Sequence, residues 1–346
     1  MTRRRRGTQR VTMEDVARLA SVSPSTVSLY LRRPAEVSPG RAKIIQAAID
    51  RLGYLPNTMA GGLASSRSRI IGVLVPTITN SFFSETLETL EHHLRRAGYQ
   101  LLIGNTEFDV EREEELLRSL MSWNPAGLVL TGFAHDRKTR ALLLNSEVPI
   151  VEMWDYGQPG LDMVVGFSHF QCGRLMAEHF LAAGYRQVAF ISTRFARDIR
   201  AHDRYEGFRQ CMVEAGAHVV KKELAGRSDT RETGDIMHRL MIDEPKIEAV
   251  ACSNDMVALG VMLECQRQGW AIPHRMAVAG FGNQDFTGST VPPMTTIEPP
   301  RQAIGENIAR LLLNRLRGEA CDQPLLDLGV RLIARESTRE GHNGHQ

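Results

Sequence analysis

The 346-residue sequence contains only five cysteines and no CxxC pair. Cys172, Cys211, Cys252, Cys265 and Cys321 are scattered and odd in number, which argues for reduced thiols and against a disulfide framework or thiolate metal cluster. No run of 18 apolar residues occurs, so a membrane-spanning helix is not expected. The N-terminal residues are arginine-rich and lack the apolar stretch of a secretory signal, so the expected location is the cytoplasm, at the nucleoid. GxSxG, Walker, HExxH and Cys/His metal patterns are all missing, and the glycines near 280–282 do not form a dinucleotide fingerprint. The expectation is therefore no enzyme, no cofactor and no metal.

What is present begins with charge. The formal net charge is +2, but residues 1–69 carry 13 Lys/Arg against Glu14, Asp15, Glu36 and Asp50, a net of +9, leaving −7 for the remainder. A basic end on an acidic body is the electrostatic footprint of nucleic-acid binding by one end only. Residues 1–10, with Arg3 to Arg6, read as a flexible basic arm. Residues 12–31, TMEDVARLASVSPSTVSLYL, read as a helix-turn-helix. Thr12 is an N-cap, and Asp15 three residues on completes a capping box. Val16, Leu19 and Ala20 share one face, Ser21-Val22-Ser23 makes the turn, and Pro24 occupies a first-turn position that tolerates proline. The second helix turns Val27 and Leu31 inward and Ser25, Thr26, Ser28 and Leu29 outward. Small hydroxyls there suit base edges and phosphates in a major groove. A third helix is capped by Ser38-Pro39, striped by Ile45, Ala48, Ile49 and Leu52, and ended by Gly53. Residues 11–56 thus form a DNA-binding domain whose partner is double-stranded DNA. In the linker at 57–68, Gly61 and Gly62 each cost roughly 1 kcal/mol of helix propensity. A helix there is expected to form only when something supports it.

From about residue 70 the pattern changes. Short apolar runs at 70–76, 100–105, 127–132, 149–154, 162–167, 187–193, 248–253 and 276–282 alternate with helical stretches such as 84–97 and 171–183. Near-continuous apolar strands alternating with helices predict parallel sheets covered on both faces. About 270 residues exceed one comfortable sheet, so the predicted class is an all-α helix-turn-helix headpiece plus a two-lobed α/β core of two doubly wound parallel sheets. Ligands in such folds bind beyond the carboxyl ends of the strands, here between the lobes.

With these residues in hand, the chain resembles the LacI/GalR family of bacterial transcriptional regulators over about 11–335. The carrying motifs are TMEDVARLASVSPSTVS, LGYLPN, GGLASSRS, PTITNSFF, HDRYEGF, CSNDMVALG, MAVAGF and PPMTTI. SWNPAGLVLT, VEMWD, VGFSHF and ECQRQG are similar, within that family, to gluconate-utilisation repressors. The resemblance implies a periplasmic-binding-protein-like core at 69–335, with a first lobe of about 69–167 and 298–327 and a second of about 168–297 and 328–335, before a disordered tail at 336–346. It implies a homodimer reading a palindromic operator. Thr12, Ser23, Ser25, Thr26, Ser28, Leu29 and Arg32 would contact the operator, Asn57 would start a hinge helix, and Leu63 would wedge into the minor groove. Thr79, Asn80, Phe83, Arg204, Asn254, Asp255 and Asn283 would contact a small-molecule effector. Glu152 and Asp155, at a strand end, would accept from its hydroxyls. Trp154 would either stack on the ligand or pack in the core.

Two departures carry meaning. Leu29 stands where the family commonly has arginine, so the operator sequence does not transfer. The usual acidic pair after the late strand is replaced within Gly280-Phe281-Gly282-Asn283-Gln284-Asp285. Together with the cation-rich run Arg194, Arg197, Arg200 and Arg204, this favours an anionic sugar acid as effector. A neutral sugar, or a corepressor in place of an inducer, is the alternative. A sugar-binding protein or enzyme on the same α/β fold is the second. The C-terminal residues hold no leucine heptads, so a dimer is expected rather than a coiled-coil tetramer.

Overall fold

A computed structural model describes residues 11–55, 68–78, 82–193, 195–226, 228–320 and 323–338. The basic arm, most of the expected hinge with Asn57 and Leu63, the loop residues Thr79 and Asn80, Arg194 and Cys321 lie outside the described residues. The chain divides into two compact units, Met1–Ser68 and Arg69–Gln346.

The first unit holds α1 (Met13–Leu19), α2 (Pro24–Arg32) and α3 (Pro39–Leu52). The capping box forms as expected: the Asp15 amide donates to Thr12 Oγ1 (3.3 Å), and the Thr12 amide donates to Asp15 Oδ2 (2.9 Å). Ser23 caps α2 by accepting from the Thr26 amide (3.2 Å), with Pro24 in the first turn. Gly53 ends α3 in the left-handed region (φ +61°), where glycine carries no Cβ penalty. Val16, Ala17, Ala20, Val27, Val37, Ile45, Ala48 and Tyr54 form the core. Three expectations need correction. The Ser38 hydroxyl makes no capping bond. Leu19 is 40% exposed because Ala17 takes the inward position. Leu29, expected to face outward, is half-buried and packs against this core.

The second unit contains two six-stranded sheets. The first uses β1 (Ile70–Val75), β2 (Gln100–Asn105), β3 (Gly127–Thr131), β4 (Ile150–Met153), β5 (Met163–Gly166) and β11 (Leu325–Asp327), in the order β11-β5-β4-β3-β1-β2. The second uses β6 (Gln187–Ser192), β7 (His218–Glu223), β8 (Ala249–Cys252), β9 (Ala277–Phe281), β10 (Thr295–Glu298) and β12 (Arg331–Ile333), in the order β12-β10-β9-β8-β6-β7. Both are parallel except for β12, which runs antiparallel to β10. Inner strands such as β4, β5, β8 and β9 are buried along their whole length, as near-continuous apolar runs require.

Helices connect the strands: α4 (Ser84–Arg96), α5 (Val110–Ser122), α6 (Arg137–Leu144), α7 (His169–Ala182), α8 (Ile199–Glu214), α9 (Thr230–Asp243), α10 (Asp255–Gln268) and α11 (Arg301–Arg317). The chain crosses between the lobes three times, after β5, β10 and β11. Each sheet reverses its strand order once, beside β1 in the first lobe and beside β6 in the second, and both switch points open toward the same region.

Residues 336–338, expected to belong to a disordered tail, are part of the fold. Ser337 and Thr338 are buried; the Ser337 hydroxyl donates to the Val278 carbonyl (2.6 Å), and Thr338 bonds His179 (2.8 Å). Cys172, Cys211, Cys252 and Cys265 are buried free thiols. Among the described residues, no helix is long and apolar enough to cross a membrane.

Candidate functional site

Both switch points open into one cavity of about 720 Å³ between the lobes. The first lobe contributes Pro76 and Thr77 beyond β1, with Phe82, Phe83 and Trp154. The second contributes Thr193 beyond β6, Asn254 beyond β8, Phe281 and Gln284 at the end of β9, and Arg197, Arg200 and Arg204 from or next to α8.

Arg204 is placed by glycine. A Cβ on Gly173 of α7 would lie 2.6 Å from the Phe208 nitrogen of α8 and nearer still to the Arg204 carbonyl oxygen; a Cβ on Gly207 would clash with the Phe170 carbonyl. Only because both are glycine do α7 and α8 come close enough for Arg204 to meet His169. Arg204 Nη1 donates to His169 Nδ1 (2.8 Å), Nη2 donates to the Ser253 carbonyl (3.0 Å), and Cζ lies 4.2 Å from the Phe281 ring centroid. These partners are all neutral, and Nε is buried with none. Burial accordingly lowers the Arg204 pKa. None of Arg197, Arg200 and Arg204 forms an ion pair with a described carboxylate within 4.0 Å, whereas the two acids in the wall are engaged elsewhere. Glu107 pairs with Arg112 (3.5 Å), and Asp198 caps α8 through the Ala201 amide (3.1 Å). Burial, then the charges of Arg204 and Arg200, hold the His169 imidazole well below its ordinary pKa. It is neutral, and only the tautomer protonated at Nε2 also satisfies the bond to the Trp154 carbonyl (2.9 Å).

The expected effector residues divide. Phe83, Arg204 and Asn254 line the cavity; Asn254 also caps α10 and donates to Ser228 Oγ (2.8 Å). Four others stand outside its wall. Glu152 alternates to the opposite face of β4, where it accepts from the Leu161 amide (2.5 Å) and stands 3.4 Å from His135 Nε2. Asp155 sits beside Arg200 with its carboxylate on the Tyr156 amide (2.9 Å); burial pushes its pKa up to about 6, opposed by Arg200. Asp255, fully buried, accepts from Thr296 Oγ1 (2.6 Å) and the Gln284 amide (2.8 Å), and burial pushes it to about 6. Asn283 donates to Glu298 (2.7 Å) and accepts from Arg335 (2.8 Å). Trp154 packs in the core against Phe83 (5.0 Å) and Phe167 (5.8 Å), with part of its surface in the cavity wall.

His169 and Gln284 also line the cavity, although the sequence reading does not place them among the expected contacts. Gln284 is buried, and its side-chain Nε2 has no partner. The replaced acidic pair beside it was the available signal. His169 falls within the VGFSHF motif, which marked the segment without assigning this residue a role.

In the first unit, Ser25 is exposed and Thr26 and Ser28 are half-exposed. Ser23 Oγ bonds Ser25 Oγ (2.7 Å) and Thr26 Oγ1 (2.8 Å), while Arg32 donates to Ser28 Oγ (2.9 Å). Thr12 is committed to its cap.

Comparison with known proteins fits both units. Residues 12–57 match the family described as bacterial regulatory proteins, lacI family, and residues 177–338 match a periplasmic binding protein-like domain. The HTH-type transcriptional regulator GntR of Pseudomonas aeruginosa is 38% identical over 335 residues, covering 96% of this chain and 97% of the relative. This chain belongs to the LacI family. GntR of Escherichia coli K12 is 36% identical over 325 residues, covering 94% and 97% respectively. A crystal structure of a LacI family regulator from Silicibacter pomeroyi superposes with a TM-score of 0.90 at 32% identity, covering 95% of this chain and all of that one. As a LacI family member the protein is a DNA-binding transcriptional repressor, and the relatives are named as regulators rather than enzymes.

Proposed function

We propose that the repressor's operator affinity is controlled by a sugar acid, such as gluconate or a keto or phosphorylated derivative, bound in the inter-lobe cavity. The observation that carries this reading is Arg204: a buried guanidinium facing a cavity with no described carboxylate paired to it. A buried cation is costly unless something compensates it, and a ligand carboxylate would do so while accepting a bidentate bond. Arg197 and Arg200 add attraction for the same charge. The narrower similarity to regulators named GntR supports a sugar acid within that class.

In this reading a homodimer places two α2 helices in successive major grooves. Ser25, Thr26 and Ser28 exchange their intrahelical bonds for base edges and phosphates. The hinge at 57–68, weakened by Gly61 and Gly62, folds on the operator with Leu63 toward the minor groove. The acid acts as an inducer by favouring the lobe arrangement that binds operator less well.

Calorimetric titration with gluconate, 2-ketogluconate, 6-phosphogluconate and neutral glucose, repeated with Arg204→Ala, tests the reading. An acid should bind the wild type and fail with the variant. Binding of glucose alone, or an unchanged acid affinity in the variant, would overturn it.

A further inference from the structure

The polar groups behind Arg204 form a chain of hydrogen bonds, linked through Trp154 and Arg301 themselves, leading out of the cavity. Arg204 donates to His169 Nδ1, and His169 Nε2 donates to the Trp154 carbonyl. Trp154 Nε1 donates to Thr86 Oγ1 (3.2 Å), and Thr86 Oγ1 donates to the Arg301 carbonyl (2.9 Å). The Arg301 side chain pairs with Glu85 (2.5 Å) and donates to the Gly282 carbonyl (2.5 Å). Gly282 follows Phe281, the ring lying beside Arg204.

The positions of these links are as informative as the bonds. The chain starts on α8 in the second lobe and passes through His169 at the N-terminus of α7, just after the first crossover. It enters the first lobe at Trp154 and α4, reaches the start of α11 just after the second crossover, and returns to the second lobe at the end of β9. Trp154 is held with φ +63°, a conformation a bulky residue adopts only when its surroundings impose it. The His169 ring is buried against Phe167 (4.7 Å between centroids) and Phe281 (5.9 Å). It therefore has little room to reorient without one of its two bonds breaking.

We propose that His169 is a positioning residue with two duties: its Nδ1 aims Arg204 at the anionic effector, and its Nε2–H ties that arginine to the first lobe. Effector occupancy and lobe arrangement then share one imidazole. This rests on the reading of the cavity as an anion site. A carboxylate that draws the guanidinium toward itself changes the Nη1–Nδ1 bond, and the ring can follow only by changing its bond to Trp154. A ligand shifts a lobe equilibrium only through interactions that differ between the two arrangements, and this chain supplies such a difference.

Three substitutions test the two duties separately, reading acid affinity by calorimetry and operator affinity by fluorescence anisotropy with and without the acid of the panel that binds. His169→Asn keeps an acceptor near the Nδ1 position and loses the donor; His169→Gln keeps a donor near Nε2 and loses the acceptor. The Asn variant should bind the acid at least tenfold more tightly than the Gln variant. Thr86→Val lies outside the cavity and cuts the chain one link further on. It should bind the acid within about twofold of wild type, while the acid's effect on operator affinity, of order 5–150-fold in coupled systems, falls below about twofold. Equal acid affinity in the Asn and Gln variants overturns the aiming duty. Wild-type coupling in Thr86→Val, or loss of acid binding in parallel with coupling there, overturns the tie. If neither histidine variant folds, Thr86→Val decides. If wild type binds none of the acids, the anion reading falls and this inference falls with it; failure of the variants alone removes only the inference.

Discussion

Gly173→Ala is the most direct probe of how the fold positions the site. The added Cβ would lie 2.6 Å from the Phe208 nitrogen, where ordinary contact begins at 3.4 Å, and closer to the Arg204 carbonyl oxygen. Both neighbours are backbone, so no side-chain rotation relieves the overlap. The helices α7 and α8 must separate by about 0.8 Å or more, and the 2.8 Å bond from Arg204 to His169 then exceeds about 3.6 Å, past the reach of a hydrogen bond. Overpacking of this kind costs about 1–3 kcal/mol. For a domain of this size that lowers the melting temperature by roughly 3–10 °C. The assay is thermal unfolding by circular dichroism alongside calorimetric titration of the acid. Gly288→Ala serves as control, since a Cβ there meets nothing within 4 Å. Gly173→Ala should melt lower than the control and bind the acid at least tenfold more weakly. A variant that matches Gly288→Ala in both respects would refute the claim that the glycine contact sets the site.

Other expectations follow from the buried charges and the caps. His135 stands 3.0 Å from Glu113 and 3.4 Å from Glu152; burial alone would lower its pKa, but the two carboxylates raise it to about 9. Its folded pKa exceeds the unfolded value near 6.5, so this contribution, about 3 kcal/mol, is fully present below pH 6.5 and lost as pH rises through about 9. Unfolding measured from pH 6 to 9.5 should show that fall in wild type and a flatter profile in His135→Gln. Asp155, raised to about 6 beside Arg200, is neutral below that pH and ceases to compete for the arginine charge. Acid affinity should therefore rise as pH falls from 7.5 to 5.5, and Asp155→Asn should bind tightly at both; an identical slope in the variant would exclude the competition. Thr12→Ala removes the α1 capping box and should destabilise the DNA-binding unit by about 1 kcal/mol, read as an earlier transition for that unit.

What the sequence made legible, and what it hid, follow from the same physics. Strands buried on both faces mostly announce themselves as apolar runs, so β1, β3 to β6, β8 and β9 could be located; β2 was located from its apolar run despite being a half-exposed edge strand, and buried β10, with the mixed sequence Thr-Thr-Ile-Glu, was not. The edge strand His218–Glu223 and the short Leu325–Asp327 and Arg331–Ile333 have half-exposed, mixed sequences and could not. Arg204 and Asn254 were legible because each sits in a linear motif at a helix start or within a helix. Glu152, Asp255 and Asn283 were misplaced because proximity to a strand end does not determine which face a side chain takes; the period-2 alternation of β4 sends Glu152 to His135. His169 and Gln284 take their partners from distant sequence, and the local signals beside them, the VGFSHF similarity and the replaced acidic pair, do not assign either residue a contact. The misplaced residues nonetheless sharpen the functional argument. Glu152 is occupied by Leu161 and His135, Asp255 by Thr296 and Gln284, and Asn283 by Glu298 and Arg335. Each of these three side chains is thus engaged within the protein and stands outside the cavity wall. The hydrogen-bond partners of Arg204 are neutral groups only. A buried guanidinium kept without a carboxylate lowers the stability of the empty protein, and a ligand anion would restore it.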